Sequence, residues 1–210
     1  MSIHNFLFFA FASLMLNITP GNDMMYVASR STGQGTKAGI VSAFGIMAGC
    51  MVHTMAAVVG LSAIIARSAT AFNLIKWLGA AYLVYLGVKS LMNKRKSFQI
   101  TKRTEIVSLR RIFWQGVITN VLNPKVALFF LAFLPPFIDI KSAHPQWQIL
   151  FLGIWFDCSG TVVNIIVAIL FGRLGNWLAR SPRFIRIQEK ITGLLLIGLG
   201  IKVGFTNLRP

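Results

Sequence analysis

Acidic residues are scarce in this chain. Five Asp and Glu stand against 21 Lys and Arg in 210 residues, and all charged residues together make up 12%. A water-soluble domain carries about 25% charged residues, so this scarcity excludes an ordinary soluble globule. Cysteine is rarer still. Cys50 and Cys158 are the only two, both in apolar segments, and two cysteines build no disulfide framework. No Lys or Arg precedes the first apolar run, and no small-x-small cleavage site is evident. The expectation is a retained first helix rather than a removed signal peptide. The segment Ser31-Thr-Gly-Gln-Gly-Thr-Lys37 lacks the G-x-x-x-x-G-K-[ST] spacing of a phosphate loop. It reads as a flexible cytoplasmic turn.

What is abundant is apolar. Hydrophobic residues make up 55% of the chain, and the mean hydropathy is +0.68. A helix needs about 20 residues to cross a hydrocarbon core. Six stretches reach that length, at 4–29, 38–66, 70–92, 112–138, 147–174 and 189–206. The fold class expected is all-α, a polytopic membrane protein of six transmembrane helices in one domain, 1–210.

The net charge of +16 does not read as nucleic-acid binding, because the basic residues lie between apolar spans. There they obey the positive-inside rule. Segment 93–111 holds Lys94, Arg95, Lys96, Lys102, Arg103, Arg110 and Arg111 against Glu105. With that loop in the cytoplasm, segments 30–37 (Arg30, Lys37) and 175–188 (Arg180, Arg183, Arg186) join it, and only Arg67, Lys141 and Arg209 face out. Six spans place both termini outside. The first helix is short before Pro20, which leaves open five spans with the N-terminus inside.

Two spans are interrupted in the same way. The first reads Asn17-Ile-Thr-Pro-Gly-Asn-Asp23 and the second Asn120-Val-Leu-Asn-Pro-Lys125. Proline lacks the backbone donor and clashes with the preceding turn, so each helix opens at Pro20 and Pro124. The two prolines lie half a chain apart. At the same offset Gly49-x-x-x-His53 falls on Gly153-x-x-x-Asp157, and Gly79 to Lys89 resembles Gly193 to Lys202. This points to two inverted repeats of three spans, 1–92 and 112–210, with helices 1 and 4 broken. Matching interruptions in two halves are the sequence mark of a transport site.

Ionisable groups at membrane depth are costly and need a reason. They are Asp23, His53, Lys125 and Asp157. Opened helix ends offer N–H groups to a carboxylate, while freed carbonyls and amides suit an ammonium. A zwitterionic amino acid satisfies both; a sugar leaves the charges unpaired. The substrate-binding candidates are therefore Asn17, Thr19, Gly21, Asp23, Asn120, Asn123 and Lys125. Asp23, His53 and Asp157 are the candidates for proton coupling. Plainer roles stand beside these: a helix cap for Asp23, snorkelling or structural pairing for Lys125, and an interhelical hydrogen bond for His53. Asn164 shares a helix face with Asp157 and reads as an interhelical hydrogen-bond group. Ser42, Gly45, Gly49, Gly60, Gly153 and Gly160 read as close-packing positions.

Two other functions use the same residues. Cys50, His53 and Asp157 could ligate a soft or borderline metal ion for export. Cys50 and Cys158 could carry disulfide electrons, although a structural thiol is the simpler reading.

At these residues the chain resembles bacterial amino-acid exporters of the LysE/RhtB family. The matching segments are Asn17 to Asp23, Ser31 to Gly39, Gly45 to His53, Trp77 to Lys89 and Thr192 to Lys202. The most specific is Phe113 to Pro135, which contains Asn123-Pro-Lys125. Family members usually carry Pro-Gly-Pro in the first break, where this chain has Pro20-Gly-Asn22. The resemblance implies a non-enzymatic secondary transporter of the bacterial inner membrane that exports amino acids or their analogues on the proton gradient or membrane potential. Its partners would be the amino acid, protons and the lipid bilayer, with no cofactor, no resident metal and no nucleic acid. Homo-oligomerisation stays open.

Overall fold

The computed structural model describes residues 3–67, 69–92, 106–139, 142–178 and 182–205. These are almost wholly helical, with no strand among them. In chain order the helices are α1 (Ile3–Ile18), α2 (Asn22–Gln34), α3 (Thr36–Arg67), α4 (Ala69–Met92), α5 (Leu109–Val121), α6 (Pro124–Leu128), α7 (Pro145–Leu178) and α8 (Pro182–Phe205). A π-helical turn, Phe129–Phe133, and a 3-10 turn, Pro135–Phe137, extend α6.

Both expected breaks are present. The axis bends by 50° between α1 and α2 and by 45° between α5 and the segment Pro124–Phe137. The first bend falls at Pro20 and Gly21, whose backbone is extended (φ −153°, ψ −174°). The second falls before Pro124, which opens α6 from its first turn while the Asn123 side chain caps the Lys125 N–H at 3.0 Å. Proline is well placed there, since a first-turn N–H has no helical partner to lose.

Among the described residues, α3 and α7 are each long and apolar enough to cross a membrane, and each bent pair qualifies as one crossing. Helices α4 and α8 carry shorter apolar stretches, Trp77–Met92 and Gly193–Lys202. Helix α3 packs along α2, α5 and α7, α4 packs along α8, and α1 packs against α7 and α8.

Large apolar side chains face outward. Phe44, Met51, Met55 and Val59 on α3 are exposed, as are Phe151, Ile154, Val162 and Ile166 on α7. Small residues fill the contacts between helices, as expected where lipid tails are as apolar as leucine. A Cβ on Gly45 would collide with the Phe113 carbonyl of α5. Gly87 of α4 and Gly193 of α8 face each other, and a Cβ on either would meet the other's carbonyl at 2.7–2.8 Å. Gly60 does not belong with these close-packing positions, because a Cβ added there would meet no other atom within 4 Å.

The structure corrects two loop assignments. Segment 30–37 is helical except at Gly35, where φ of +85° supplies the reversal between α2 and α3. Segment 175–188 is helical up to Leu178 and again from Pro182. Most of the basic segment 93–111 (residues 93–105), together with Lys141, Arg180 and Arg209, lies outside the described residues, and α5 begins at Leu109.

Two apolar clusters build the interior. One gathers Phe9, Phe129, Phe133, Phe137 and Phe156 from α1, the α6 extension and α7; the Phe129 and Phe156 rings stack at 4.2 Å between centroids. The other gathers Met24, Val27, Ala43, Ile46, Ala168 and Phe171 from α2, α3 and α7.

Candidate functional site

Between the two clusters lies a cavity with an empty volume of about 540 Å³, its open mouth included. It takes Leu16, Cys50, Val126 and Phe156 from the first cluster and Met24 and Ile46 from the second. Both helix breaks open onto it. Asn17, Thr19, Gly21 and Asp23 come from the first break, and Asn120, Asn123 and Lys125 from the second. Asp157 of α7 completes the set of sequence candidates that line it.

The breaks are joined to each other. Pro20 has no N–H, so the Leu16 carbonyl loses its helical partner. The Thr19 N–H folds back on it at 3.1 Å. Lys125 Nζ also donates to it at 2.9 Å and reaches the Thr19 carbonyl at 3.1 Å. The Thr19 hydroxyl meanwhile donates to the Met15 carbonyl at 2.9 Å. The ammonium of Lys125 thus caps the negative end of α1, where a cation is favoured.

The second break repeats the pattern. Pro124 leaves the Asn120 carbonyl without its helical partner; Asn123 N–H donates to it at 2.8 Å and His53 Nε2 at 3.1 Å. A carbonyl only accepts, so His53 Nε2 carries the hydrogen. Leu16 and Asn120 occupy matching places, four residues before each proline. His53 stacks on Phe130 and stands behind Asn120 rather than on the cavity wall. It makes the interhelical hydrogen bond and stands within electrostatic reach of both Asp23 and Asp157.

Other candidates are also engaged. The Asn17 amide donates to Ser159 Oγ at 3.0 Å and to the Phe156 carbonyl at 3.2 Å, which fixes α1 to α7. Gly160 makes room for it, since a Cβ there would lie 3.1 Å from Asn17 Oδ1. Asn120 Nδ2 donates to Asp23 Oδ2 at 2.9 Å, and Thr54 Oγ1 donates to Asp157 Oδ2 at 3.0 Å. Three oxygens on these side chains are buried and accept nothing: Asp23 Oδ1, Asn120 Oδ1 and Asp157 Oδ1. Buried polar atoms are normally paired; the Asn123 side chain stands beside the Asp23 carboxylate and Cys50 beside that of Asp157, while Asn120 Oδ1 packs against Gly49 of α3.

Sequence reasoning placed Asn164 between helices, but it lines the cavity with Thr161, Gly160 and Met47. Thr54 was missed; its only signal is its place next to His53 on α3. Cys50 is buried on the cavity wall and Cys158 is exposed. A disulfide carrier needs the two thiols together, and one faces inward while the other faces out. Among the described residues, no group of three His, Cys, Asp or Glu could hold a metal ion.

Beyond the cavity, α2 is fixed on two sides. Tyr26 Oη donates to the Ile112 carbonyl at 2.7 Å, Arg30 to Gln115 Oε1 at 2.8 Å and Gln34 to the Val107 carbonyl at 2.9 Å. Ser31 donates to the Ala168 carbonyl and Thr32 to the Phe171 carbonyl on α7. These bonds tie α2 to the start of α5 and the end of α7.

Known proteins similar to this chain are membrane and efflux proteins. An uncharacterized membrane protein of Bacillus subtilis (strain 168) is 33% identical over 97% of this chain and 100% of its own length. The homoserine/homoserine lactone efflux protein of Salmonella typhimurium is 29% identical over 90% of each chain. The leucine efflux protein of the same organism is 26% identical over 95% of this chain and 94% of its own length. No solved structure matches. The LysE type translocator family matches residues 14–206. The chain belongs to that family, and is a membrane translocator rather than an enzyme.

Proposed function

We propose that this protein is a secondary transporter that exports amino acids or amino-acid analogues from the cytoplasm in exchange for protons. One observation carries the reading: the two helix breaks meet at a buried polar cavity, held together by Lys125. Non-helical backbone at membrane depth is tolerated only where protein or a water-filled cavity receives it, and here one cavity receives both breaks. The leucine and homoserine efflux activities named for two relatives support the substrate class.

In this reading six crossings form two inverted repeats in the bacterial inner membrane, with segment 93–111 in the cytoplasm. The substrate lodges among Asn17, Thr19, Gly21, Asp23, Asn120, Asn123 and Lys125. The bonds of Tyr26, Arg30, Gln34, Ser31 and Thr32 hold α2 closed, and opening α2 admits the substrate. Asp157, with Asp23 and His53, takes up the proton that drives the return step, and His53 also steadies the second break. One charge moving through 100 mV releases about 2.3 kcal/mol, roughly a fifty-fold concentration ratio, so a single proton suffices for modest export.

Efflux from proteoliposomes loaded with labelled amino acids tests this. A pH gradient, acid outside the transporter's extracellular face, should accelerate efflux several-fold, and Asp157→Asn should remove the acceleration. No gradient effect on any amino acid would overturn the coupling; full gradient-driven transport by Asp157→Asn would clear that residue of the role.

A further inference from the structure

We infer, building on that reading, that Asn164 selects the substrate by its side chain, and that the side chain it favours ends in a carboxamide.

The cavity follows one face of α7. Asp157, Gly160, Thr161 and Asn164 line it, at the spacing that keeps helical residues on one side. Asn164 stands two turns beyond Asp157, about 10 Å along the axis. The breaks and the carboxylates lie at the Asp157 end. Asn17 of the first break bonds to the Phe156 carbonyl and Ser159 Oγ, and Asp23 and Asp157 are both within electrostatic reach of His53. Past Asn164 the same face runs into the second apolar cluster, at Val167 and Ala168. Met24 and Ile46 of that cluster also line the cavity. The cavity therefore has a charged end, where the ammonium and carboxylate common to all amino acids lodge, and an apolar end, where the variable side chain lodges.

Asn164 is a polar group at that apolar end. It is 8% exposed, and among the described residues no hydrogen bond engages its side chain. The other amides of the lining are committed: Asn17 to α7, Asn120 to Asp23 and Asn123 to the Lys125 N–H. An Asn amide offers donors and an acceptor side by side. A hydrocarbon side chain meets neither, and a hydroxyl meets one at a time. A carboxamide meets both at once, through two parallel bonds. A charged side chain would enter apolar walls with only a neutral partner, which is costly. A site built to hydrogen-bond a substrate group rejects the analogue without it, since its own polar atoms are then stranded. Glutamine, with one methylene more than asparagine, suits the two-turn gap.

Equilibrium dialysis of the purified full chain in detergent tests this. Labelled proteinogenic amino acids are screened first, and the best binder becomes the tracer. Glutamine and homoleucine, a hydrocarbon analogue of nearly the same shape, then compete with it. Glutamine should compete better by about tenfold or more. Asn164→Leu should weaken competition by glutamine about tenfold or more and leave homoleucine within about threefold. Homoleucine competing as well as glutamine with the wild-type chain overturns the inference. So does an equal loss of both ligands in an Asn164→Leu chain whose thermal unfolding is unchanged, which would make Asn164 a structural residue. Should Asn164→Leu not fold, Asn164→Ala carries the same expectation. Either overturning result leaves the amino-acid reading standing, because the tracer still binds the wild-type chain. Failure of every amino acid to bind the folded wild-type chain removes that reading and this inference together.

Discussion

A proline inside a crossing helix orphans the carbonyl four residues before it, and in this chain those carbonyls belong to Leu16 and Asn120. Each is rescued from the other half of the sequence, by Lys125 and His53 respectively. An unmade hydrogen bond on a buried carbonyl costs about 1–3 kcal/mol. Lys125 serves two carbonyls, and among the bonds described the Thr19 carbonyl receives only that one. The Asn120 carbonyl keeps the Asn123 N–H if His53 is lost. Lys125→Met should therefore destabilise the protein by about 2–4 kcal/mol and His53→Phe by about 1 kcal/mol. Thermal unfolding in detergent gives the order, and a His53 variant as unstable as the Lys125 variant would contradict this view of the breaks. Lys125 also shows why a side chain's fate is hard to read from sequence. Its charge at depth is legible, but its acceptors lie 109 and 106 residues away.

At the scale of the helix, the breaks themselves were legible because proline acts categorically on its own turn. So was the family of small residues that lets helices approach. The loops were less so. Arg30 and Lys37 look solvated, yet one residue, Gly35, suffices to reverse the chain, and helix resumes at Thr36. Nor does sequence distinguish a packed glycine from an idle one. Gly45 and Gly60 occupy the same helix, but a Cβ on Gly45 would collide with the Phe113 carbonyl, while Gly60 has nothing within 4 Å. Gly45→Val should push α3 from α5 and cost about 1–3 kcal/mol. Gly60→Ala should stabilise by up to about 1 kcal/mol, the ordinary helix-propensity gain. Unfolding temperatures of the two variants check the contrast, and equal losses would mean that helix approach does not set these positions.

At the scale of the whole molecule, the proposed equivalence of the two halves rests on which helices pair. Helix α3 lies along α7, and α4 lies along α8. The break between α1 and α2 and the break between α5 and α6 face one cavity. Under the proposed three crossings per half the second half is inverted, and the N-terminus and the 93–111 segment lie on opposite sides of the membrane. The charge count bears on one of the two: the acid-poor segment 93–111 carries seven of the chain's 21 basic residues, a composition that the positive-inside rule assigns to the cytoplasm. Cysteine labelling in a Cys50→Ser/Cys158→Ser background tests both at once. In right-side-out vesicles a membrane-impermeant maleimide should label Ser2→Cys and Ala143→Cys and leave Ser97→Cys untouched until the membrane is opened. Protection of Ser2→Cys, with Ala143→Cys still labelled, would place the N-terminus inside. Spans 1 and 4 would then no longer be antiparallel equivalents, and the two proline breaks would have to be explained separately.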